Sequence, residues 1–392
     1  MTNIIFIFIF FTISLIQFSA SFNPQVHFSI NKNDIPNGKF VKDITQCPKL
    51  KPRQTPPKSV HDLRIDDIKV IMALGDSITA GFGAKGHHTN IPIDIHNLHE
   101  NRGVSFSIGG DPDAVTIANF IKHYSPELIG SSTGDHLVEL CYGLICPPYQ
   151  YKPNKDRFNA AQSGMMISNL TAELNYLLDQ LYKEPIEVVL KSYKYLTLFI
   201  GSNDICFRCS NNLSWLTSKQ FEDYLMLTLE TIRREIPNTV VNLLGVFNVS
   251  QVYNFHKEEY CKGWGLIAEY ECSCAFAPGI LGSRNRMKMD ETAMEYNKAI
   301  RNVVNYYASR KSNSFAVMYQ EFDIDLTTFP VEGLSNIDCF HPSTKSHDFI
   351  AKTFWNNLVL PMNERRGRIE WEDDVDIRCF EENDRINTNI NS

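Results

Sequence analysis

The sequence predicts an α/β protein with a mostly parallel sheet that is covered by helices on both faces. Short apolar segments of the length of interior strands alternate with longer segments in which apolar residues recur at helical spacing. Strands and helices that alternate in this way form parallel sheets, because each helix carries the chain back to the start of the next strand. Polar turns follow several of the apolar segments. These turns are expected at the carboxyl ends of the strands, where open α/β sheets bind their ligands.

Five segments have the apolar pattern of interior strands. They are residues 70–74, 157–161, 195–200, 239–246 and 315–319. Residues 85–155 show little periodicity and are rich in Gly, His and Pro, so we expect loops with one or two helices there.

Apolar stripes predict the helices that separate the later strands. The first stripe consists of Leu170, Leu174, Leu177, Leu178 and Leu181, and the second of Phe221, Leu225, Leu229, Ile232 and Ile236. Thr217 and Gln220 form a capping-box pattern at the start of the second stripe. Another helix is expected near residues 290–309. Ser343 is the predicted N-cap of a last helix that runs to about Leu358.

The two ends of the chain have patterns of their own. Residues 1–21 contain a long apolar run and end in small residues, which indicates a secretory signal peptide, with an uncleaved anchor as the alternative. Residues 22–59 are expected to be an extended arm, residues 60–361 the folded domain, and residues 362–392 a charged tail. The sequence therefore predicts a secreted protein without a transmembrane anchor after cleavage.

The chain has ten cysteines, which fit an oxidising compartment and predict disulfide bonds. Cys206 and Cys209 form a C-x-x-C pattern, which predicts a local bridge or two separate bridges. A zinc site that also uses Cys272 and Cys274 is the alternative. A disulfide between Cys379 and the amino-terminal arm is a further hypothesis, because it would hold the charged tail.

Charge and sequons restrict the partners and modifications. The net charge of −7 argues against a nucleic-acid partner and against tight binding to acidic membranes by bulk charge. Asn169, Asn212 and Asn248 each begin an N-x-S/T sequon, so they are candidate glycosylation sites.

Residues 71–81, with the sequence I-M-A-L-G-D-S-I-T-A-G, run from a buried strand directly into a polar turn. The turn places Ser77 at the carboxyl end of the strand, which makes it a candidate nucleophile. An ordinary glycine and serine turn before a helix is the alternative. A phosphate-binding loop is excluded, because Phe82 stands where such a loop needs Lys.

A serine nucleophile needs a base and a carboxylate, and the pair Asp338 and His341 supplies both. Their i,i+3 spacing in a turn allows the carboxylate to bind one imidazole nitrogen while the other faces the serine. His347 is a rival base, but it is expected inside the last helix. Asp76 is expected to have a structural role only.

Two later turns offer hydrogen-bond donors for an oxyanion hole. Gly164 has no side chain, so a substrate oxygen can approach its backbone N–H closely. Asn203 adds a side-chain amide, and the backbone N–H of Ser77 completes the set. Taken singly, Gly164 and Asn203 are also typical turn residues.

Four motifs in these turns resemble the ordered sequence blocks of the GDSL lipases, also called SGNH hydrolases. They are G-D-S-I-T, N-A-A-Q-S-G, G-S-N-D and D-C-F-H. Further motifs resemble the animal phospholipase B subfamily, namely V-H-D-L-R-I-D-D-I-K-V, F-S-I-G-G-D, C-Y-G-L-I-C-P-P and D-C-F-H-P-S. The resemblance extends from about Cys47 to Pro361.

The resemblance implies a three-layer α/β/α sandwich with a flavodoxin-like sheet, and a serine esterase that needs no metal or cofactor. It implies that Ser77 is the nucleophile, His341 the base and Asp338 its orienting carboxylate. It also assigns the oxyanion hole to Ser77, Gly164 and Asn203. The implied substrates are phospholipids and lysophospholipids, with transient contact to a lipid surface.

The substrate prediction has alternatives from the same and from a different functional class. The chain is alternatively an esterase for neutral lipids or acetylated sugars, or a lipid-binding relic without turnover. A groove for acyl chains would favour the phospholipase. The sequence-based hypothesis places that groove beside Ser77 and builds it from Phe82, Val104, Phe106, Ile108, Ile117 and Phe120.

Overall fold

The computed structural model describes residues 38–86, 98–139, 150–209, 217–255, 258–261, 271–365 and 367–388. The predicted signal peptide, residues 22–37 of the predicted arm, Asn212 and two of the cysteines lie outside these residues.

A four-stranded parallel sheet forms the centre of the protein. Its strands are β1 (Ile68–Gly75), β2 (Tyr193–Phe199), β3 (Thr239–Leu244) and β4 (Phe315–Gln320), in the order β1-β2-β3-β4. Every residue of β3 and β4 is buried, as expected for a sheet covered on both faces. The four corresponding predicted strands are confirmed.

The predicted strand at residues 157–161 is wrong. Only Asn159 forms a bridge there, a parallel one with Ala73 at the outer edge of β1. The backbone N–H of Ala73 donates to Phe158 at 3.0 Å, and that of Ala160 donates to Ala73 at 2.9 Å. Arg157 has a φ of 52°, so the extended conformation does not begin before residue 158.

The described residues include ten α-helices around the sheet. They are α1 (Ser77–Ala80), α2 (Ile117–Tyr124), α3 (Pro153–Asp156), α4 (Leu170–Leu181), α5 (Ile186–Lys191), α6 (Ser202–Cys206), α7 (Ser218–Glu235), α8 (Ser273–Phe276), α9 (Gly279–Ser309) and α10 (Thr344–Asn357). The capping box of Thr217 and Gln220 is present at α7. Helix α9 begins earlier than predicted. Ser343 is the N-cap of α10, although its hydroxyl donates to the carbonyl of Glu332 instead of accepting a cap bond.

The helices form two groups on the central sheet, which gives the predicted α/β/α sandwich. In one group α7 packs against both α4 and α9, and in the other α2 packs against α10. The predicted stripe of α7 is buried throughout, and so is that of α4 except at Leu178. None of the described helices is both long and apolar enough to span a membrane.

A pair of short strands and a disulfide join the two ends of the described chain to each other. Phe40–Val41 pairs antiparallel with Ile377–Arg378, and a disulfide joins Cys47 to Cys379. This disulfide confirms the hypothesis that the arm and the tail are linked. The remaining short strands are His99–Glu100 with His136–Leu137, and Asp323–Ile324 with Arg368–Ile369.

Three more disulfides join cysteines that come after β2 in the sequence. They join Cys206 to Cys272, Cys209 to Cys274 and Cys261 to Cys339. The C-x-x-C pattern therefore forms two separate bridges. The zinc alternative is wrong, because all four of its cysteines are consumed by these two bridges.

We expect the double variant Cys47→Ser, Cys379→Ser to lose about 2–5 kcal/mol of unfolding free energy. The bridge spans a sequence separation of 332 residues, so it strongly restricts the unfolded chain. Urea unfolding measures the loss, and the exposed Ser309→Ala variant should unfold like the wild type. An unchanged midpoint in the double variant would contradict this account.

Candidate active site

Ser77 is positioned by a sharp transition from strand β1 to the short helix α1. Asp76 is the N-cap of α1, and its carboxylate accepts the backbone N–H of Ile78 at 3.0 Å. Helix α1 ends at Gly81, which has a φ of 77°. A Cβ at Gly81 would lie only 2.7 Å from the carbonyl oxygen of Asn101, so the turn requires glycine. The N-cap bond gives Asp76 the predicted structural role, but its charge also acts on His341.

Asp338 and His341 form the compact turn that their spacing predicts. The Oδ1 atom of Asp338 accepts the backbone N–H of Phe340 at 2.9 Å and that of His341 at 3.0 Å. Cys339 between them has a φ of 51°, and its disulfide to Cys261 anchors the turn. The carboxylate is thereby folded back onto the imidazole.

The three side chains form one hydrogen-bonded line. The Nδ1 atom of His341 is 2.6 Å from Oδ2 of Asp338, and its Nε2 atom is 2.6 Å from Oγ of Ser77. All three residues are buried. Ser77 and His341 meet although they are 264 positions apart in the sequence. An imidazole between a hydroxyl and a carboxylate can take the hydroxyl proton and remain correctly oriented.

The charges around His341 favour its protonated form. Burial lowers the pKa of His341, but the charges of Asp338, Glu271 and Asp76 together raise it to about 9. The imidazolium is the species that forms when the imidazole accepts the proton of Ser77, so these carboxylates stabilise the product of that transfer.

The three predicted oxyanion-hole residues line the same small cavity as His341. Gly164 has a φ of 82°, which presents its backbone in a conformation that side chains disfavour. The amide of Asn203 donates to the carbonyl of Met165 at 2.8 Å, which fixes the orientation of its NH2 group. The cavity has a volume of about 10 Å³, room for about one water molecule. Its full lining is Ser77, Phe82, Ser163, Gly164, Asn203, Glu271, Phe340 and His341.

The rival base His347 does not face this cavity. It is fully buried in α10, and its Nδ1 atom accepts the backbone N–H of Phe106 at 3.2 Å. Burial, with a smaller contribution from the charge of His341, lowers the pKa of His347 to about 3. A histidine held neutral in the core is a packing residue.

The predicted acyl-chain groove is wrong for five of its six residues. Val104, Phe106, Ile108, Ile117 and Phe120 are buried in the hydrophobic core, and only Phe82 lines the cavity. Phe106 packs against Phe354 and Phe120 against Trp355, with ring centroids 6.1 and 5.2 Å apart. These side chains therefore attach residues 98–124 to α10.

Sequence reasoning missed a buried ionic network that supports the oxyanion-hole segment. The Oε1 atom of Glu100 accepts the backbone N–H of Ser163 at 2.8 Å and its hydroxyl at 2.7 Å. Arg102 pairs with Glu100 and, at 3.2 Å, with Asp156, and all three side chains are fully buried. His136 binds the same oxygen of Asp156 at 2.9 Å. The motif H-E-N-R carries no recognisable signal for this role.

Glu271 is a further residue of the site that the sequence did not reveal. It lines the cavity, and its Oε2 atom is 3.8 Å from Nδ1 of His341. The cysteine-rich segment around it has no periodic pattern, so nothing local pointed to the site.

Two of the predicted sequons lie in the described residues. Asn169 is only 5% exposed and accepts the backbone N–H of Met166, so the folded chain leaves little room for a glycan there. Asn248 is half-buried, and its glycosylation stays a prediction.

The sequence model of the GDSL-like Lipase/Acylhydrolase family matches residues 71–354. The chain belongs to this family. That membership confirms the predicted family and places the protein among the carboxylic ester hydrolases. The matched region contains all of the residues that line the cavity.

Two curated relatives support the resemblance to the phospholipase B subfamily. The chain is 30% identical over 351 residues to human "Phospholipase B1, membrane-associated", and 31% identical over 365 residues to the rat protein. These alignments cover 85% and 88% of this chain. The chain spans 22% and 23% of the length of these relatives. An acetylxylan esterase structure from Geobacillus stearothermophilus aligns at 15% identity with a TM-score of 0.36, covering 75% of this chain and 95% of that one.

We expect Arg102→Met to destabilise the protein by about 3–5 kcal/mol, because it leaves Glu100 and Asp156 buried without their cation. Urea unfolding measures this loss. Arg234→Met is the matched control, since Arg234 is 68% exposed and pairs with Glu235 at the surface. The control is expected to stay within about 0.5 kcal/mol of the wild type. Equal effects of the two substitutions would show that burial of the network is not what matters.

Proposed function

We propose that the protein is a secreted serine esterase that hydrolyses the acyl esters of phospholipids and lysophospholipids. The observation that carries the proposal is the line from Ser77 through His341 to Asp338, with both contacts at 2.6 Å. It occurs in a chain that belongs to a family of lipases and acylhydrolases.

In the proposed reaction, Oγ of Ser77 attacks the ester carbonyl while Nε2 of His341 takes the hydroxyl proton. Asp338 holds the imidazole in place and stabilises its positive charge. The carbonyl oxygen becomes an oxyanion.

The oxyanion accepts hydrogen bonds from the backbone N–H groups of Ser77 and Gly164 and from the amide of Asn203. When the ester C–O bond breaks, His341 returns the proton to the leaving alcohol. A water molecule then attacks the acyl-serine with His341 again as base, which releases the fatty acid and restores Ser77.

Two findings support the lipid substrate and the secreted location. The curated relatives are named phospholipase B1, although this chain spans only part of them. Four disulfides among the described cysteines, with none free, fit an oxidising compartment. The predicted groove contributes no support, because its residues belong to the core.

An esterase for small acyl groups is the second candidate. Within the described part of the chain, a cavity of about 10 Å³ leaves no space for an acyl chain in this conformation, and Phe82 and Phe340 line it beside His341. Phospholipid hydrolysis therefore requires the cavity to widen when substrate binds, whereas acetyl esters need a smaller change.

We expect Ser77→Ala and His341→Ala each to abolish most ester hydrolysis, because each removes a member of one catalytic unit. The double variant should lose little more than either single variant. Hydrolysis of a chromogenic ester, with Ser309→Ala as a control at an exposed serine, measures the three losses. Losses that multiply in the double variant would show that the two residues act independently.

Acyl-chain length distinguishes the two candidate functions. Each buried methylene contributes about 0.8 kcal/mol, so about six methylenes favour a long chain over acetate by more than a thousandfold. We expect fatty acid to be released from diacyl phospholipid and from lysophospholipid, with little hydrolysis of acetyl esters. The measurement is kcat/KM on lysophosphatidylcholine and on an acetylated sugar. Comparable values would remove the lipid assignment and leave the serine esterase intact.

A further inference from the structure

Exposed apolar side chains are concentrated on the first half of helix α9. Nine large apolar side chains are strongly exposed in the described part of the chain, and four of them lie on this helix. They are Ile280, Leu281, Met287 and Met294, which are 76%, 66%, 62% and 62% exposed. The other five are distributed among four separate segments. Contiguous exposed apolar surface typically marks an interaction site.

Cations accompany the apolar residues at the start of α9. Arg284 and Lys288 are exposed, and they follow Ile280 by one and two turns on the same helix face. No acidic residue occurs in α9 before Asp290, although the whole chain has a net charge of −7. We call Ile280, Leu281, Arg284, Met287 and Lys288 the α9 tip.

The α9 tip is firmly connected to the wall of the active-site cavity. Arg286 stacks on the ring of Tyr253 at 3.6 Å, and its guanidinium donates to the carbonyl of Ala275 at 2.7 Å. Helix α8, which contains Ala275, follows Glu271 of the cavity wall directly and is bridged to the segment after α6 through Cys274. The α9 tip is therefore linked, through α8, to the segment that contributes Glu271 to the cavity wall.

We propose that the α9 tip docks the enzyme onto a phospholipid bilayer, an inference that rests on the proposed lipid substrate. Ile280, Leu281 and Met287 would enter the boundary between headgroups and acyl chains. Arg284 and Lys288 would bind lipid phosphates. This combination of apolar and cationic side chains is the one that interfacial helices use, and it complements anionic headgroups.

Vesicle binding tests the proposal with the full chain. Co-sedimentation with phosphatidylcholine vesicles that contain some phosphatidylglycerol compares the wild type with the triple variant Ile280→Ser, Leu281→Ser, Met287→Ser. Ile186→Ser, Leu190→Ser is the matched control, because these side chains of α5 are 62% and 51% exposed. We expect the triple variant to bind at least about tenfold more weakly and the control to bind like the wild type. Arg284→Gln should weaken binding about fivefold.

Each outcome of this test decides the proposal. Hydrolysis of a monomeric soluble ester should be equal in all variants. Hydrolysis of vesicle lipid should fall with binding in the triple variant and, to a smaller extent, in Arg284→Gln, but not in the control. Equal vesicle binding by the wild type and the triple variant, or equal weakening in the control, overturns the docking proposal. Wild-type dimers that the triple variant fails to form would assign the α9 tip to a second copy of the chain. A wild type that binds vesicles without hydrolysing their lipids would refute the lipid substrate and leave docking intact.

A separate observation concerns Glu271. Its Oε2 atom is buried and has no hydrogen-bond partner among the described residues, and it lies on the side of His341 that faces away from Ser77. Its side chain is 17% exposed. The next residue, Cys272, is bridged to Cys206, which ends the helix that carries Asn203. The disulfide therefore holds an unpaired carboxyl oxygen beside the imidazole.

We infer that Glu271 is a positioning residue for His341, a second carboxyl that supports Asp338 at Nδ1. This inference also rests on the proposed function. Burial and the charge of Asp338 raise the pKa of Glu271 to about 8, and the charge of His341 partly opposes this shift. The charged groups that face His341 are Asp338, Glu271 and Asp76, and the buried His347 is held neutral nearby.

The pH profile of kcat/KM distinguishes this role from a purely structural one. An ionised Glu271 favours imidazolium and so raises the pKa of His341, which means that its removal lowers that pKa. We expect Glu271→Gln to move the acid limb of the profile to lower pH by about 1 unit. Glu271→Asp keeps the charge and should restore part of the shift. The exposed Glu258→Gln is the control in the neighbouring segment and should leave the profile unchanged.

The outcome is independent of the overall loss of rate. An acid limb that stays in place in Glu271→Gln overturns the inference, whether or not kcat falls. Should that variant not fold, a fractional displacement of the acid limb to lower pH in Glu271→Asp supports the role of the charge, and an acid limb at the wild-type position opposes it. Undiminished hydrolysis by Ser77→Ala would instead refute the proposed function.

Discussion

The parallel pairing of β1 with β2 is the constraint on which the site depends. Leu74 lies opposite Leu198, so the two strands end side by side at the same edge of the sheet. Ser77 follows one strand end and Asn203 the other. Because parallel strands share their carboxyl edge, a nucleophile and an oxyanion donor meet there although 126 positions separate them in the printed sequence. The turn of Asp338 and His341 then needs only to pack against this edge.

Features determined by short stretches of sequence were predictable. The sequence pattern that predicts each of these features lies within a few consecutive residues. This holds for the four central strands, the capping box at Thr217 and the turn of Asp338 and His341. Local hydrogen bonds determine the capping box and the turn, so the same pattern gives the same geometry in most folds. The strands form their hydrogen bonds with distant residues, but a short continuous apolar run is enough to predict each of them. The strand expected at residues 157–161 failed for a local reason too. Arg157 has a left-handed backbone conformation, which an apolar sequence pattern does not reveal.

Features determined by distant packing were not predictable. Phe106 and Phe120 are apolar enough for either a groove or a core, and only the position of α10 decides between them. Glu100 supports Ser163 from 63 residues away, and Glu271 reaches His341 through a loop that two disulfides hold. Apolar character indicates that a side chain is buried, but the partner is set by topology.

The site is surrounded by buried carboxyls that weaken the fold when they ionise. Burial raises the pKa of Asp76 to about 6 and that of Asp204 to about 7, and it raises the pKa of Glu173 well above its usual value. An acid whose pKa is raised on folding stabilises the native state less as pH rises above its unfolded value. Ionisation of these groups therefore lowers the free energy of unfolding as pH rises from mildly acidic to neutral.

Disulfides bridge two of the segments that build the site, and Asp204 lies in one of them. The bridge from Cys206 to Cys272 ends the helix that carries Asn203, and the bridge from Cys261 to Cys339 crosses the turn of Asp338 and His341. A disulfide restricts the unfolded chain at every pH, so its contribution does not decline as the carboxyls ionise. The covalent links therefore offset the electrostatic cost at the same segments that position the hydrogen-bonded line of Ser77, His341 and Asp338.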